Sequence, residues 1–111
     1  MEWGNRLEQS VAERYAEGLA DDEELRDTEM VQHPDYPMFL GTPDRLVYRG
    51  EECLWGVEIK TSVHGKGWGA KGSSAYPDHY RYQVMWYMGI LRALGLDIEF
   101  FDIAAFIYSK V

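Results

Sequence analysis

The chain has 111 residues, of which 46% are apolar, so it has the size and composition of one domain with a modest core. Its formal net charge of −8 excludes a protein that coats nucleic acid non-specifically. No apolar run is long enough to span a membrane, and the N-terminus lacks the pattern of a secretory signal. The single cysteine, Cys53, excludes an intramolecular disulfide and an iron–sulfur or other cysteine-built metal site. We therefore expect a cytoplasmic protein with no membrane partner.

The first predicted element is an N-terminal helix. Apolar side chains recur every four residues from Trp3 to Leu19 and form one stripe, and Gly18 with the acidic run that follows ends the helix. The acidic segment 21–29 is expected to be a solvated connection. Short strands are predicted at 30–33, 38–40, 45–48 and 54–61, with a hairpin connection between the last two.

The second half of the chain begins with a glycine- and serine-rich loop at 63–78. A helix is predicted over 79–94, with Asp78 as its N-cap and Gly95 just past its end, and a buried strand is predicted within 97–109. The order of elements predicts an α/β (α+β) fold, a single domain over 1–111 whose central mixed sheet is flanked by helices. The aromatic side chains of the second helix are expected to form core and helix face rather than a base-stacking platform: Tyr80, Tyr82, Trp86 and Tyr87.

Two carboxylates are predicted to lie close together. Asp44 lies in a turn just before one strand, and Glu58 lies on the strand that pairs with it, where neighbouring strands are about 4.8 Å apart. Such a pair repels unless a cation lies between its members, and hard oxygen ligands suit Mg²⁺ or Mn²⁺. The ion would make a bound water more acidic and stabilise charge on a phosphate oxygen. Lys60 shares a strand face with Glu58 and would position that water or offset transition-state charge.

Each of these residues also has an ordinary structural explanation. Glu58 and Lys60 could form an exposed pair on a half-solvated sheet. Asp44 follows Pro43 and could simply form a turn. Glu8 lies three residues after Asn5 and could belong to a variant of the capping box. The occurrence of all of them in this order favours a site.

The same order of motifs resembles the PD-(D/E)XK nuclease superfamily, and within it the YqaJ/lambda-exonuclease-like branch of viral recombination nucleases. The matching pieces are GNRLE at 4–8, GTPD at 41–44, EIK at 58–60, Trp68 in the loop, and YRYQV at 80–84. Gln83 and Tyr87 also match the Q-x-x-x-Y element of RecB-like nucleases.

The resemblance implies a restriction-endonuclease-like core and a Mg²⁺-dependent deoxyribonuclease, for which Mn²⁺ would substitute. It implies an exonuclease on double-stranded DNA ends, in phage or prophage recombination or DNA repair in the cytoplasm of a bacterial host. Asp44, Glu58 and the Ile59 carbonyl would be metal ligands, and Glu8 would complete the cluster directly or through water. Lys60 would be the catalytic lysine. Gln83 would orient the site or contact the scissile strand, with support from Tyr80 and Tyr87.

Contacts with DNA are expected from the loop and from the second helix. Lysines would meet phosphates, and the tryptophan would stack on a base or pack beneath the loop. The alternative is an ordinary surface loop. The residues assigned to DNA binding are His64, Lys66, Trp68, Lys71 and Arg81.

The chain also departs from the family pattern. It starts almost at the Glu8 helix, so we expect a minimal version of the core that lacks the usual N-terminal helical region. Two alternatives therefore stay open: a non-catalytic DNA-end-binding or interaction module, and an endonuclease or nickase. The expected partners are DNA, as double-stranded ends or a single strand, a single-strand annealing protein, and further copies of the chain.

Overall fold

The structure, a computed structural model, describes residues 2–62 and 78–107, and describes side chains over 7–60 and 79–105. Two helices and six strands follow one another in these ranges. In chain order they are α1 (Glu2–Glu17), β1 (Glu24–Asp27), β2 (Val31–Gln32), β3 (Leu40–Gly41), β4 (Arg45–Arg49), β5 (Glu52–Ser62), α2 (Asp78–Ala93) and β6 (Phe101–Ile107). Within the described ranges, neither helix is long and apolar enough to cross a membrane.

Four strands form a mixed sheet in the order β1-β4-β5-β6. β1, β4 and β5 are antiparallel neighbours, whereas β6 is parallel to β5 and follows it through α2. β2 and β3 form a separate two-stranded hairpin. This architecture confirms the predicted α/β fold and is compatible with a minimal PD-(D/E)XK-like core.

The two faces of the sheet carry separate apolar clusters. On the α1 face, Ala12 packs with Val47, Val57 and Ile59. On the opposite face, the buried cluster consists of Leu46, Cys53, Leu91 and Ile98. Because side chains alternate along a strand, β5 gives Val57 and Ile59 to the α1 face, and its intervening residues face α2.

A chain of polar groups fixes α1 to the sheet. The Trp55 indole N–H donates to the hydroxyl of Tyr15 at 2.7 Å, and that hydroxyl donates to Asp102 Oδ2 at 2.5 Å. Burial, followed by the hydrogen bond to Asp102, raises the pKa of Tyr15 well above its ordinary value. These contacts join α1, β5 and β6 and set the position of the helix.

The prediction that the whole of segment 21–29 is a solvated connection was wrong, because residues 24–27 form the edge strand β1. Leu25 pairs with Val47 of β4 and packs against the α1-face cluster. Arg26 lies over the ring of Tyr48, 4.4 Å from its centroid. Charged residues are typical of edge strands because they discourage pairing with another chain.

The end of α2 confirms the predicted role of Gly95. Gly95 has a φ of +94°, which L side chains rarely adopt. Its N–H donates to the Arg92 carbonyl at 3.0 Å, and the Leu96 N–H donates to the Leu91 carbonyl at 3.1 Å. This pair of bonds is the Schellman motif, which satisfies the last carbonyls of a helix.

Candidate active site

The β4–β5 hairpin brings Asp44 beside Glu58. Arg45 pairs with Val57 in the sheet, so the residue before β4 lies next to Glu58. The Asp44 N–H donates to Glu58 Oε1 at 2.9 Å, and the Ile59 N–H donates to Asp44 Oδ2 at 2.8 Å. The Thr28 hydroxyl donates to the Pro43 carbonyl and holds the turn from the other side. Each carboxylate is therefore oriented by a main-chain N–H beside the other.

Glu58 is buried, with 1% of its surface exposed. Burial raises its pKa from 4.5 to about 7, and the neighbouring charge of Asp44 adds to the rise. The hydrogen bond from the Asp44 N–H and the charge of Lys60 act in the opposite direction. A buried carboxylate whose charged form is disfavoured in this way would gain from a nearby cation.

Lys60 is held on the same face of β5, as predicted. Its Nζ donates to Gln83 Oε1 at 2.8 Å and lies 3.6 Å from Glu58 Oε2. It also lies over the ring of Tyr80, 4.6 Å from the centroid. The ammonium group is thus fixed from three sides, between β5 and α2.

Gln83 is in turn supported by Tyr87, one turn further along α2. The Gln83 Nε2 group donates to the Tyr87 hydroxyl at 3.3 Å. Burial raises the pKa of Tyr87, and the charge of Glu58 adds to the rise. The structure therefore brings together seven of the predicted site residues in one network: Asp44, Glu58, Ile59, Lys60, Tyr80, Gln83 and Tyr87.

Among the described residues, Glu8 is linked to this network through Arg45, which the sequence analysis missed. The Glu8 Oε1 atom lies 3.6 Å from Arg45 Nη1, and that nitrogen also donates to the Asp44 carbonyl at 2.8 Å. Arg45 Nε pairs with Asp27 Oδ1 at 2.9 Å. The sequence feature that could have indicated Arg45 is its pairing with Asp27 on the neighbouring strand, but this pairing requires that β1 first be recognised as a strand.

Other predicted site residues are placed separately. Arg81 lies exposed on α2, two residues before Gln83. The loop residues predicted to bind DNA lie outside the described residues: His64, Lys66, Trp68 and Lys71. The prediction of core and helix face for the α2 aromatics holds for Tyr87, which is 9% exposed, but Tyr82 and Trp86 are not core residues, with 69% and 45% of their surface exposed.

The arrangement is compatible with a minimal PD-(D/E)XK-like core: an aspartate and a glutamate lie on a hairpin, a lysine follows two residues further on, and a helix glutamine accepts a hydrogen bond from the lysine. The model of the YqaJ-like viral recombinase domain matches residues 1–93, and the chain belongs to this family. No curated protein and no solved structure is significantly similar to the chain. The family places the chain among viral recombination nucleases, whose role implies interaction with DNA.

Proposed function

We propose that the chain is a Mg²⁺-dependent deoxyribonuclease that hydrolyses phosphodiester bonds at double-stranded DNA ends, in phage or prophage recombination or DNA repair. The observation that carries this proposal is the pairing of Asp44 with the buried Glu58 beside the fixed ammonium of Lys60. For this role in recombination or repair, we propose a single-strand annealing protein as the protein partner. The proposed location is the cytoplasm of a bacterial host.

The donor set fits a magnesium ion. Among the described residues, no group of three or more histidine, cysteine or acidic side chains is close enough to hold a metal. Mg²⁺ does not need such a group, because it keeps several waters and is usually bound by one or two carboxylates together with substrate phosphates. Asp44 and Glu58 would supply these carboxylates, the Ile59 carbonyl a further oxygen, and Glu8 an outer contact through water. When bound, the ion supplies a Lewis acid for phosphate oxygens and makes water more acidic.

Lys60 contributes a fixed positive charge to the same site. Its contacts with Gln83 and Glu58 hold Nζ next to the carboxylates, where a phosphate group would be hydrolysed. A preoriented cation stabilises the charge that develops in the transition state without reorganising during the reaction. Gln83 and Tyr87 act through Lys60 and are positioning residues.

The test compares cleavage by the wild type and by Lys60→Ala, with Mg²⁺ or Mn²⁺, on linear, end-blocked and circular DNA. We expect the wild type to degrade linear DNA from its ends, and Lys60→Ala to lose activity about a hundredfold or more while keeping the circular dichroism spectrum of the folded protein. Arg49→Ala is the matched control, because it removes a cation from the far end of β4, where Arg49 pairs with Asp22.

Each possible result separates the candidate functions. Cleavage of linear DNA alone supports the exonuclease. Cleavage or nicking of circular DNA would identify an endonuclease or nickase with the same chemistry. Binding to DNA ends without metal-dependent cleavage would identify a non-catalytic module. Wild-type rates in Lys60→Ala would contradict the proposed mechanism.

A further inference from the structure

Next to the site, aromatic side chains form an exposed surface on the β2–β3 hairpin and α2. This aromatic surface consists of Tyr36, Phe39 and Trp86, with 54%, 37% and 45% of their surface exposed. The ring centroids of Tyr36 and Phe39 are 5.6 Å apart, and those of Phe39 and Trp86 are 5.0 Å apart. The three rings therefore form a continuous row.

Local hydrogen bonds hold the Trp86 ring and the backbone that carries Tyr36 and Phe39. The Trp86 indole N–H donates to the Leu40 carbonyl at 3.1 Å. At the tip of the hairpin, His33 Nδ1 accepts from the Tyr36 N–H at 3.2 Å, and the Phe39 N–H donates to the Tyr36 carbonyl at 2.9 Å. Because the Trp86 ring and the hairpin backbone are held before any partner binds, less conformational entropy is lost on binding.

The aromatic surface is continuous with the site through Gly41. A β-carbon added at Gly41 would lie 2.6 Å from the Tyr87 ring and 3.8 Å from Trp86 Nε1, so the chain passes directly over both side chains. Tyr87 bonds Gln83, and Gly41 lies three residues before Asp44. Three residues span at most about 10 Å, which is the length of about three stacked nucleotides of one strand.

The region around the aromatic surface is less acidic than the rest of the molecule, so it is better suited to binding a polyanion. The chain has 19 acidic residues against 11 lysines and arginines. The segments 30–43 and 79–91, which carry the aromatic surface, contain one acid, Asp35, balanced by Arg81, with His33 and His79. A nucleic-acid strand would meet no net repulsion there, unlike at the acidic segment 21–29.

We infer that Tyr36, Phe39 and Trp86 form a stacking platform for unpaired bases of the DNA strand whose phosphate lies in the Asp44–Glu58–Lys60 site. This inference rests on the proposed function and specifies which form of DNA the protein binds. Base–aromatic stacking tolerates any sequence, because every base has a π face. An end-processing enzyme with this platform engages frayed or single-stranded ends in preference to fully paired ones.

The test measures binding without cleavage, in Ca²⁺, by fluorescence anisotropy of a labelled duplex with a single-stranded extension and of the same duplex with blunt ends. We expect Tyr36→Ala and Trp86→Ala each to weaken binding of the extended duplex about tenfold. Trp86→Phe keeps an aromatic ring and is expected to restore most of the affinity. The matched control is Met85→Ala, a truncation of the neighbouring exposed side chain on α2.

Three results would overturn the inference. An unchanged affinity of both alanine variants for the extended duplex would show that these rings do not stack on bases. An equal loss for the blunt duplex would indicate contact with paired DNA instead of stacking on unpaired bases. A loss of self-association by light scattering, at unchanged DNA affinity, would make the surface a contact between copies of the chain. The cleavage test with Lys60→Ala is independent, so failure of the nuclease mechanism and failure of the platform give different results.

Discussion

Asp44 and Glu58 orient each other through the main chain of the β4–β5 hairpin. The Asp44 N–H donates to Glu58, and the N–H after Glu58 donates to Asp44. Neither carboxylate can therefore move far without the other. The pair is formed without any ligand, at the cost of keeping the buried Glu58 carboxylate close to the charge of Asp44.

The raised pKa of Glu58 predicts that the free energy of unfolding falls as the pH rises towards 7. The folded chain keeps a proton on Glu58 up to about pH 7, whereas the unfolded chain loses it near 4.5. This contribution to stability is therefore complete below pH 4.5 and is lost as the pH rises to about 7, at a cost of about 3 kcal/mol. We expect Glu58→Gln to remove this loss, as measured by urea unfolding in EDTA at a series of pH values. Parallel pH profiles for the wild type and Glu58→Gln would contradict the prediction.

Divalent metal should stabilise the folded protein through the same pair. A ligand that binds only the folded state at a hundred times its Kd adds about 2.7 kcal/mol to the free energy of unfolding. We expect millimolar Mg²⁺ or Mn²⁺ to raise the Tm of the wild type and to have little effect on Asp44→Asn. Glu51→Gln removes a charge from the turn of the same hairpin and should respond like the wild type. No metal-dependent shift in the wild type would argue against the metal site.

Gln83 should affect the rate of cleavage more than substrate or metal binding. Gln83→Ala removes the group that fixes Lys60 Nζ, and a displacement of about 1 Å at a reacting centre can cost about a hundredfold in rate. We expect a fall in kcat with the Mg²⁺-dependent rise in Tm retained, and a smaller fall for Tyr87→Phe. Gln9→Ala truncates an exposed glutamine of α1 and is the control. A change confined to KM would show that Gln83 binds substrate instead of positioning Lys60.

Two glycines give a matched pair for stability. At Gly41, an added β-carbon would collide with the Tyr87 ring, so Gly41→Ala should destabilise the chain by about 1–3 kcal/mol and also slow cleavage. At Gly89, within α2, an added β-carbon meets nothing within 4 Å, so Gly89→Ala should stabilise the chain by about 0.5–1 kcal/mol. Chemical denaturation measures both. Equal effects of the two substitutions would show that Tyr87 yields to the added methyl group.

The parts of the site that follow from local periodicity were predictable from the sequence. Glu58 and Lys60 share a face because strand side chains alternate, and the hairpin places Asp44 beside Glu58. Lys60 and Gln83 are far apart in the chain, so only the family resemblance assigned Gln83 to the site, and the hydrogen bond between them was not predicted. The pattern of residues within α2 does not reveal this contact, because it consists of one side-chain hydrogen bond to a distant strand.

The errors have physical causes as well. β1 contains one apolar side chain, Leu25, between charged residues, so neither its hydropathy nor its length distinguishes it from a loop. Arg45 was missed for the same reason, since its partner Asp27 lies on β1. The exposure of Trp86 depends on how far the β2–β3 hairpin covers α2, and this is a tertiary relationship.

The alternation along β5 has a consequence for how the site could arise and change. Val57 and Ile59 pack into the α1-face cluster, and Glu58 and Lys60 point to the other side of the same strand. A shift of the strand by one residue would move both charged groups into the α1-face cluster against Val47 and Ala12 and would move Val57 and Ile59 out of it. The register of β5 that buries Val57 and Ile59 is therefore also the register that places Glu58 and Lys60 in the site. Single-residue insertions within this strand should abolish folding and activity together.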